Sequence, residues 1–283
     1  MHAYGPSGVE MESLRNLQQL GFAPGSPPRL EARATEIELP EYHGKDDVES
    51  ELGQLRNTIG ELQDRMFTRK ELSLLVVLQG MDSAGKDSTT KAVFTGINPL
   101  GIHAASFSFP TPLEQRHDFL WRVHAHVPSR GCVGVFNRSH YEDPVIAFVH
   151  KQINHATFRQ HLTQIADFER MLAEDGTTIL KCFLHIGFNE QRKRLQERVD
   201  NPKKHWKFDP SDLSERKLWG DYHSAYESAL SLSNAGHAPW YVVPADHKPV
   251  RNLLVARLVV QALQSMPLRE PSPKPELKGL KVP

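Results

Sequence analysis

The run Gly80-Met-Asp-Ser-Ala-Gly85-Lys86 matches the pattern G-x-x-x-x-G-K in full. Glycines at that spacing let the backbone wrap a phosphate. The amide groups and a following helix start favour the anion, and the lysine reaches the group being transferred. Gly80, Ser83, Ala84 and Gly85, with Asp87 and Ser88 just beyond, are candidate substrate-binding residues, and Lys86 is a candidate catalytic one. Two features depart from the usual form. Asp87 stands where a serine or threonine usually contacts Mg²⁺, with Ser88 one place later. Asp82 puts a carboxylate inside the loop, where it would repel phosphate unless Mg²⁺ lay between them. A carboxylate plus substrate phosphates is the usual surrounding of that ion, so Asp82 is a candidate metal ligand as well as a catalytic residue. The plainer alternative is a turn-forming aspartate bonded to its own backbone.

A second cluster is Phe136-Asn-Arg-Ser-His-Tyr-Glu-Asp143. A strand-end acidic residue is expected there in many P-loop enzymes, but Asn137 holds the place. Arg138 suits bidentate contact with phosphate oxygens. Glu142 or Asp143 suits a second metal contact or the positioning of an acceptor, unless the cluster is only a solvated set of surface charges. The third cluster runs from residue 192 to 207. It has seven basic residues (Arg192, Lys193, Arg194, Arg198, Lys203, Lys204, Lys207) against the two acids Glu197 and Asp200. It fits a lid over residues 190–212 that closes on a polyanion, expels water and brings positive charge to the transition state. A basic helix facing solvent is the alternative.

Alternating strands and helices must position these groups. Residues 72–79 form a continuous apolar run, as expected of a strand buried on both faces of a parallel sheet. It leads straight into the glycine loop and then a helix from Ser88, which is the setting a P-loop needs. Further strands are expected at 103–107, 132–136, 178–186 and 240–243. Helices are expected at 114–126, 158–172, 190–199, 212–232 and 250–263. The stripe Val48, Leu52, Leu55, Ile59, Leu62 and Met66 marks an amphipathic helix, laid on its own domain or forming a short coiled-coil seam. Five strands alternating with helices imply an α/β three-layer sandwich around a mainly parallel sheet. Its active site is expected beyond the carboxyl ends of the strands. Residues 1–46 read as an N-terminal arm, 47–266 as the phosphate-binding domain, and 267–283 as a disordered tail.

Bulk composition narrows the function classes. The 283 residues carry 34 basic and 34 acidic side chains, so global charge attracts neither nucleic acid nor membrane. No apolar run approaches the roughly 18 residues of a membrane helix, and no secretory signal precedes the domain, so a cytoplasmic enzyme is expected. Cys132 and Cys182 read as two reduced core thiols. Fifteen histidines match no closed zinc spacing. A guanine-nucleotide switch is disfavoured by the lack of an Asn-Lys-x-Asp motif, whereas an ATP-dependent small-molecule kinase is compatible with the P-loop alone.

Taken in order, Gly80-Met-Asp-Ser-Ala-Gly-Lys-Asp, Ser108-Phe-Pro-Thr-Pro with His117-Asp-Phe-Leu-Trp-Arg122, the Asn137-Arg-Ser-His-Tyr-Glu motif, Leu195-Gln-Glu-Arg-Val-Asp-Asn-Pro with Trp206-Lys-Phe, and Ala238-Pro-Trp-Tyr-Val-Val-Pro-Ala closely resemble the polyphosphate kinase 2 family over residues 45–265. The Asn-Arg-Ser-His-Tyr-Glu form resembles its third class, which phosphorylates both AMP and ADP from polyphosphate. The class preferring nucleoside diphosphates typically has Asp-Arg-Ser-Trp-Tyr-Asn there. The resemblance implies a P-loop kinase-like fold with a helical lid, often dimeric or tetrameric. It also implies Mg²⁺, or Mn²⁺, as the metal, and inorganic polyphosphate with AMP, ADP and ATP as ligands. It makes Asp82 and Lys86 catalytic, with the metal on Asp82, and puts Arg138 on phosphates and Glu142 at the position associated with AMP use. Arg194 and Arg198 become lid arginines, Lys204 and Lys207 contacts along the chain, and Phe109 a wall of the base pocket. Asp143 remains the second candidate metal ligand.

On this reading Lys86→Ala abolishes turnover, because it removes the charge on the transferring group. Arg198→Ala leaves AMP binding intact and weakens use of long polyphosphate. Steady-state kinetics with short and long chains check both, and unchanged kinetics in both variants would refute the site assignment.

Overall fold

The computed structural model describes residues 17–269. Five strands, β1 (Ser73–Gln79), β2 (Ile102–Ala105), β3 (Val133–Asn137), β4 (Thr177–His185) and β5 (Trp240–Pro244), form one sheet in the order β2-β3-β1-β4-β5. Every pairing is parallel. β1 is buried at every residue, as its unbroken apolar run requires of a central strand covered on both faces.

Nine α-helices are described: α1 (Lys45–Arg69), α2 (Lys86–Phe94), α3 (Trp121–His124), α4 (Glu142–Val149), α5 (His155–Glu174), α6 (Phe188–Asp200), α7 (Ser211–Lys217), α8 (Trp219–Ser233) and α9 (Lys248–Ser265). α1, α2 and α9 pack together on one face of the sheet, and α4, α5 and α8 on the other. This is the expected three-layer sandwich. The stripe of α1 lies on its own domain, with Val48, Leu52, Ile59 and Met66 buried in the core. The described part of the N-terminal arm also packs inward, through Leu17, Leu20, Leu30 and Leu39. Cys132 and Cys182 are buried free thiols. Most of the tail expected at 267–283 lies outside the described residues; Leu268 packs against the core.

Two expectations need correction, and one helix was not expected. Residues 114–126 are not one helix. A 3-10 turn at Glu114–Arg116 and the single turn α3 are separated by Asp118, whose carboxylate accepts from the Leu120 amide and whose carbonyl accepts from Trp121. The helix expected over 212–232 is broken at Leu218 into α7 and α8. α4 was not anticipated, because its Glu-Asp-Pro start reads as the end of a motif. Acidic residues and a proline in a first turn are nonetheless ordinary helix-start chemistry.

A buried polar network joins β4 and α5 to the loop after β3. Lys181 Nζ, on β4, donates to Glu169 Oε2 at 2.5 Å, to Tyr141 Oη at 3.1 Å and to the Ser233 carbonyl at 2.8 Å. Glu169 Oε1 accepts from Tyr141 at 2.9 Å and lies 3.0 Å from His140 Nε2. Lys181 and Glu169 side chains are both fully buried. Burial works against the Glu169 charge, but Lys181 and His140 hold its carboxyl below the ordinary value. Removing one member leaves the other charged and unpaired. Lys181→Met is therefore expected to cost about 3–5 kcal/mol in urea denaturation, and Lys181→Met with Glu169→Leu much less. Equal costs for the single and double variants would contradict the pairing.

Candidate active site

The loops that follow β1, β2, β3 and β5 share one edge of the sheet. The chain leaves β1 at Gly80, whose φ of 152° accommodates the close approach of the Leu184 carbonyl: an added Cβ would lie 2.6 Å from that oxygen. Ser83 (φ 61°) and Gly85 (φ 103°) complete the turn into α2. Arg138, just beyond β3, also sits in the left-handed region at φ 64°. A bulky residue there is strained, and the backbone is held by the Arg138 amide donating to the Leu78 carbonyl at 3.2 Å. Among the described residues no hydrogen bond occupies the Arg138 guanidinium.

Lys86 is buried, and its ammonium donates to the Gly80 carbonyl at 2.7 Å and the Met81 carbonyl at 3.3 Å. Burial pulls it below its ordinary pKa; Glu142 opposes this, Arg138 adds to it, and Asp82 and Asp87 oppose it. A phosphate arriving at the loop would reverse the shift and draw the ammonium off those carbonyls. Burial raises the Asp82 carboxyl, but Arg198, Lys86 and a hydrogen bond from Ser83 outweigh it and hold the group below the ordinary value. Arg198 Nη1, from α6, lies 3.5 Å from Asp82 Oδ2 and 3.3 Å from Asp212 Oδ2. Arg198 thus lies between two carboxylates.

The two departures noted in the P-loop answer one another. Asn137 Nδ2 donates to Asp87 Oδ1 at 2.6 Å. The carboxylate on the loop and the amide at the strand end form one bridge, with the acidic partner on the opposite side from the usual arrangement. The Ser88 hydroxyl donates to the Gly85 carbonyl at 2.9 Å and accepts from Arg251 at 3.0 Å. Glu142 is buried and accepts from Gln79 Nε2 at 2.7 Å. Gln79 is in turn held by Ser139, so the end of β1 aims the carboxylate.

Two candidate residues are held by partners within the fold. Arg194 is buried and gives its guanidinium to four backbone carbonyls, those of Ser83, Ala84, Ala245 and Asp246, and to Glu190. It braces the P-loop from behind, and the residue also lines a basic cavity beside Arg198. Asp143 has both oxygens on Arg122, at 2.8 and 3.0 Å, which fits a fixed pair better than a metal ligand. Burial raises its carboxyl and Arg122 opposes the rise. Among the described residues no group of three acidic, histidine or cysteine side chains converges as a metal cage.

Three cavities meet at Arg138. One, of about 400 Å³, is walled by Phe107, Phe109 and Phe119 and reaches Glu142 and Asp143. Phe109 is 82% exposed at its mouth. The second, of about 380 Å³, runs between Asp82, Lys86 and Glu142 and the acids Asp209, Asp212 and Glu215. The third, of about 520 Å³, is lined by Lys86, Arg198, Lys204, Lys207, Lys248 and Arg251. Lys204 pairs with Glu197, and Lys207 Nζ lies 4.9 Å from the centre of the exposed Trp206 ring. Lys248 and Arg251 escaped the sequence reading. Their signal was available: they open the helix after β5, at the strand ends where the topology places the site.

Comparison with known proteins decides the family. The model of Polyphosphate kinase 2 matches residues 42–271. The chain belongs to the polyphosphate kinase 2 family. It is 45% identical over 231 residues to the AMP/ADP-polyphosphate phosphotransferase of Meiothermus ruber, covering 82% of this chain and 86% of that one. It is 37% identical to the ADP-polyphosphate phosphotransferase of Rhodopseudomonas palustris, over 83% of this chain and 86% of the relative. The crystal structure of polyphosphate kinase 2 from Arthrobacter aurescens superposes with a TM-score of 0.86 at 38% identity, covering 94% of this chain and 93% of that one. In this polyphosphate kinase 2 chain the family match begins at residue 42, so most of the inward-packed arm lies before it.

The Asp82–Arg198 pair sets a pH dependence. A depressed carboxyl contributes its pairing above the ordinary aspartate value, and the contribution is lost as pH falls through the lower folded value. Arg198→Gln is expected to move the Asp82 titration upward, read from its carboxyl carbon shift by NMR. An unmoved titration would contradict the pairing.

Proposed function

We propose that this chain transfers phosphoryl groups reversibly from inorganic polyphosphate to AMP and ADP, giving ADP and ATP. The observation carrying the reading is the convergence on Arg138 of an aromatic-walled cavity and a basic one, with Lys86 lining the latter. An aromatic wall accepts a nucleoside, and a lysine- and arginine-lined trough accepts a chain of phosphates too long for a nucleotide alone. The names of the relatives support the same donor and acceptors, and Glu142 stands at the position the third class associates with AMP.

Transfer of a phosphoryl group through a loose transition state is mainly a matter of alignment and charge neutralisation. The P-loop amides and Lys86 would hold the transferring group, and Arg138, reached from both cavities, would bridge donor and acceptor phosphates. Asp82 fits a Mg²⁺ ligand, since its carboxylate opens onto both phosphate-side cavities and needs only phosphate and water oxygens to complete the shell. When bound, the ion would neutralise charge on the phosphates, and Arg198, which lies beside Asp82, would supply further positive charge to the chain. A homo-oligomer, dimer or tetramer, and a cytoplasmic setting belong to the same reading. Among the described residues no helix is long and apolar enough to cross a membrane.

Initial rates with AMP and with ADP, at fixed polyphosphate and Mg²⁺, test the proposal by chromatography. Both acceptors are expected to turn over without added ATP. Turnover that requires ATP and ignores polyphosphate would replace this reading with an ATP-dependent kinase.

A further inference from the structure

Arg251, the fourth residue of α9, is fully buried, yet no carboxylate faces it among the described residues. Its Nη1 donates to the Ala84 carbonyl at 3.0 Å, its Nη2 to Ser88 Oγ at 3.0 Å, and its Nε and Nη2 to Asn252 Oδ1 at 3.2 and 2.9 Å. The Ala84 carbonyl is also held by Arg194, at 3.2 Å. Gly85 is the point of contact: a Cβ there would lie 2.1 Å from Arg251 Nη1 and 3.1 Å from Ser88 Oγ. The glycine is thus required by the arginine behind the loop as well as by its own φ of 103°.

A buried cation without a counter-charge is costly unless something nearby needs it. Two needs are visible. In a planar trans peptide the carbonyl and the following N–H point in opposite directions. Fixing the Ala84 carbonyl toward α9 therefore aims the Gly85 N–H the other way, into the loop where a phosphate would sit. The residue also borders the basic cavity, so its charge lies close to any anion that enters. Burial, with Arg194 adding to it, brings its pKa down to about 9.

We propose that Arg251 is a positioning residue for phosphoryl transfer: by holding the Ala84 carbonyl and the Ser88 hydroxyl it pre-orients the P-loop amides. This gives Ser88 a role as a loop anchor, in place of the metal contact that a serine after the P-loop lysine would otherwise suggest. The inference rests on the phosphotransferase reading for its kinetic readout, and wild-type turnover in the same assay separates failure of one from failure of the other.

The test compares wild type, Arg251→Met, Arg251→Ala and Arg251→Lys as full-length folded proteins, judged by circular dichroism. Arg251→Met keeps the bulk and loses the donors. It is expected to lower kcat roughly 10- to 100-fold, the scale of losing charge-assisted hydrogen bonds that aim transition-state donors, while KM for AMP stays within about twofold. Arg251→Ala opens a space beside the cavity, and added guanidinium ion is expected to restore part of its kcat without raising that of wild type. Should the neutral variants not fold, Arg251→Lys decides, since it keeps the charge but not the fork; its kcat is expected to fall about tenfold. Wild-type kcat in folded Arg251→Met or in Arg251→Lys overturns the proposal. So does a folded, impaired Arg251→Ala that guanidinium leaves unchanged.

Discussion

A loop that binds several phosphates must gather positive charge in one place and keep that charge in order before the anion arrives. Here the balance is struck around Asp82. Arg198 from α6 and Lys86 from the P-loop both act on that carboxylate, and Lys86 rests meanwhile on the Gly80 and Met81 carbonyls. Each of these contacts is of a kind that a bound metal and phosphate would take over. The site is therefore organised by charges of the kind that bind phosphate, and α6 is tied to the P-loop by the Arg198–Asp82 ion pair.

The rest of the fold serves to keep that edge of the sheet rigid. Gln79 closes β1 by holding Glu142 and receiving Ser139. The Glu169–Lys181 pair fixes Tyr141 from beneath, so the strained Arg138 turn lies between two anchored neighbours. Arg194 links the P-loop to the carbonyls after β5, and Asp246 there also accepts from the Gly187 amide at the start of α6 and from Thr35 of the arm. P-loop, the start of α6 and the arm thus meet around Asp246. The arm, largely outside the family match, is tied directly into the catalytic edge.

The framework was legible in the sequence because its signals are local. Strand β1 is an unbroken apolar run, the P-loop follows it directly, and the stripe of α1 needs only a helical period. The parts that were not legible depend on residues distant in the chain. Asp87 and Asn137 each looked like a departure from pattern until their side chains were found bonded across fifty positions. Arg194 shares a basic stretch with Arg198, and only the turn of the helix separates one facing carbonyls from one facing carboxylates. Asp143 read as a candidate metal ligand because its partner, Arg122, lies on α3, where a single longer helix had been expected.

The central claim is that the basic cavity over the P-loop takes a chain of phosphates. Isothermal titration calorimetry of the full-length protein with Mg²⁺, comparing orthophosphate, pyrophosphate and longer polyphosphates at low and high salt, tests it most directly. Affinity is predicted to rise steeply with chain length and to weaken as salt screens the lid charges. An affinity independent of chain length, or ATP binding with no polyphosphate binding, would contradict the account.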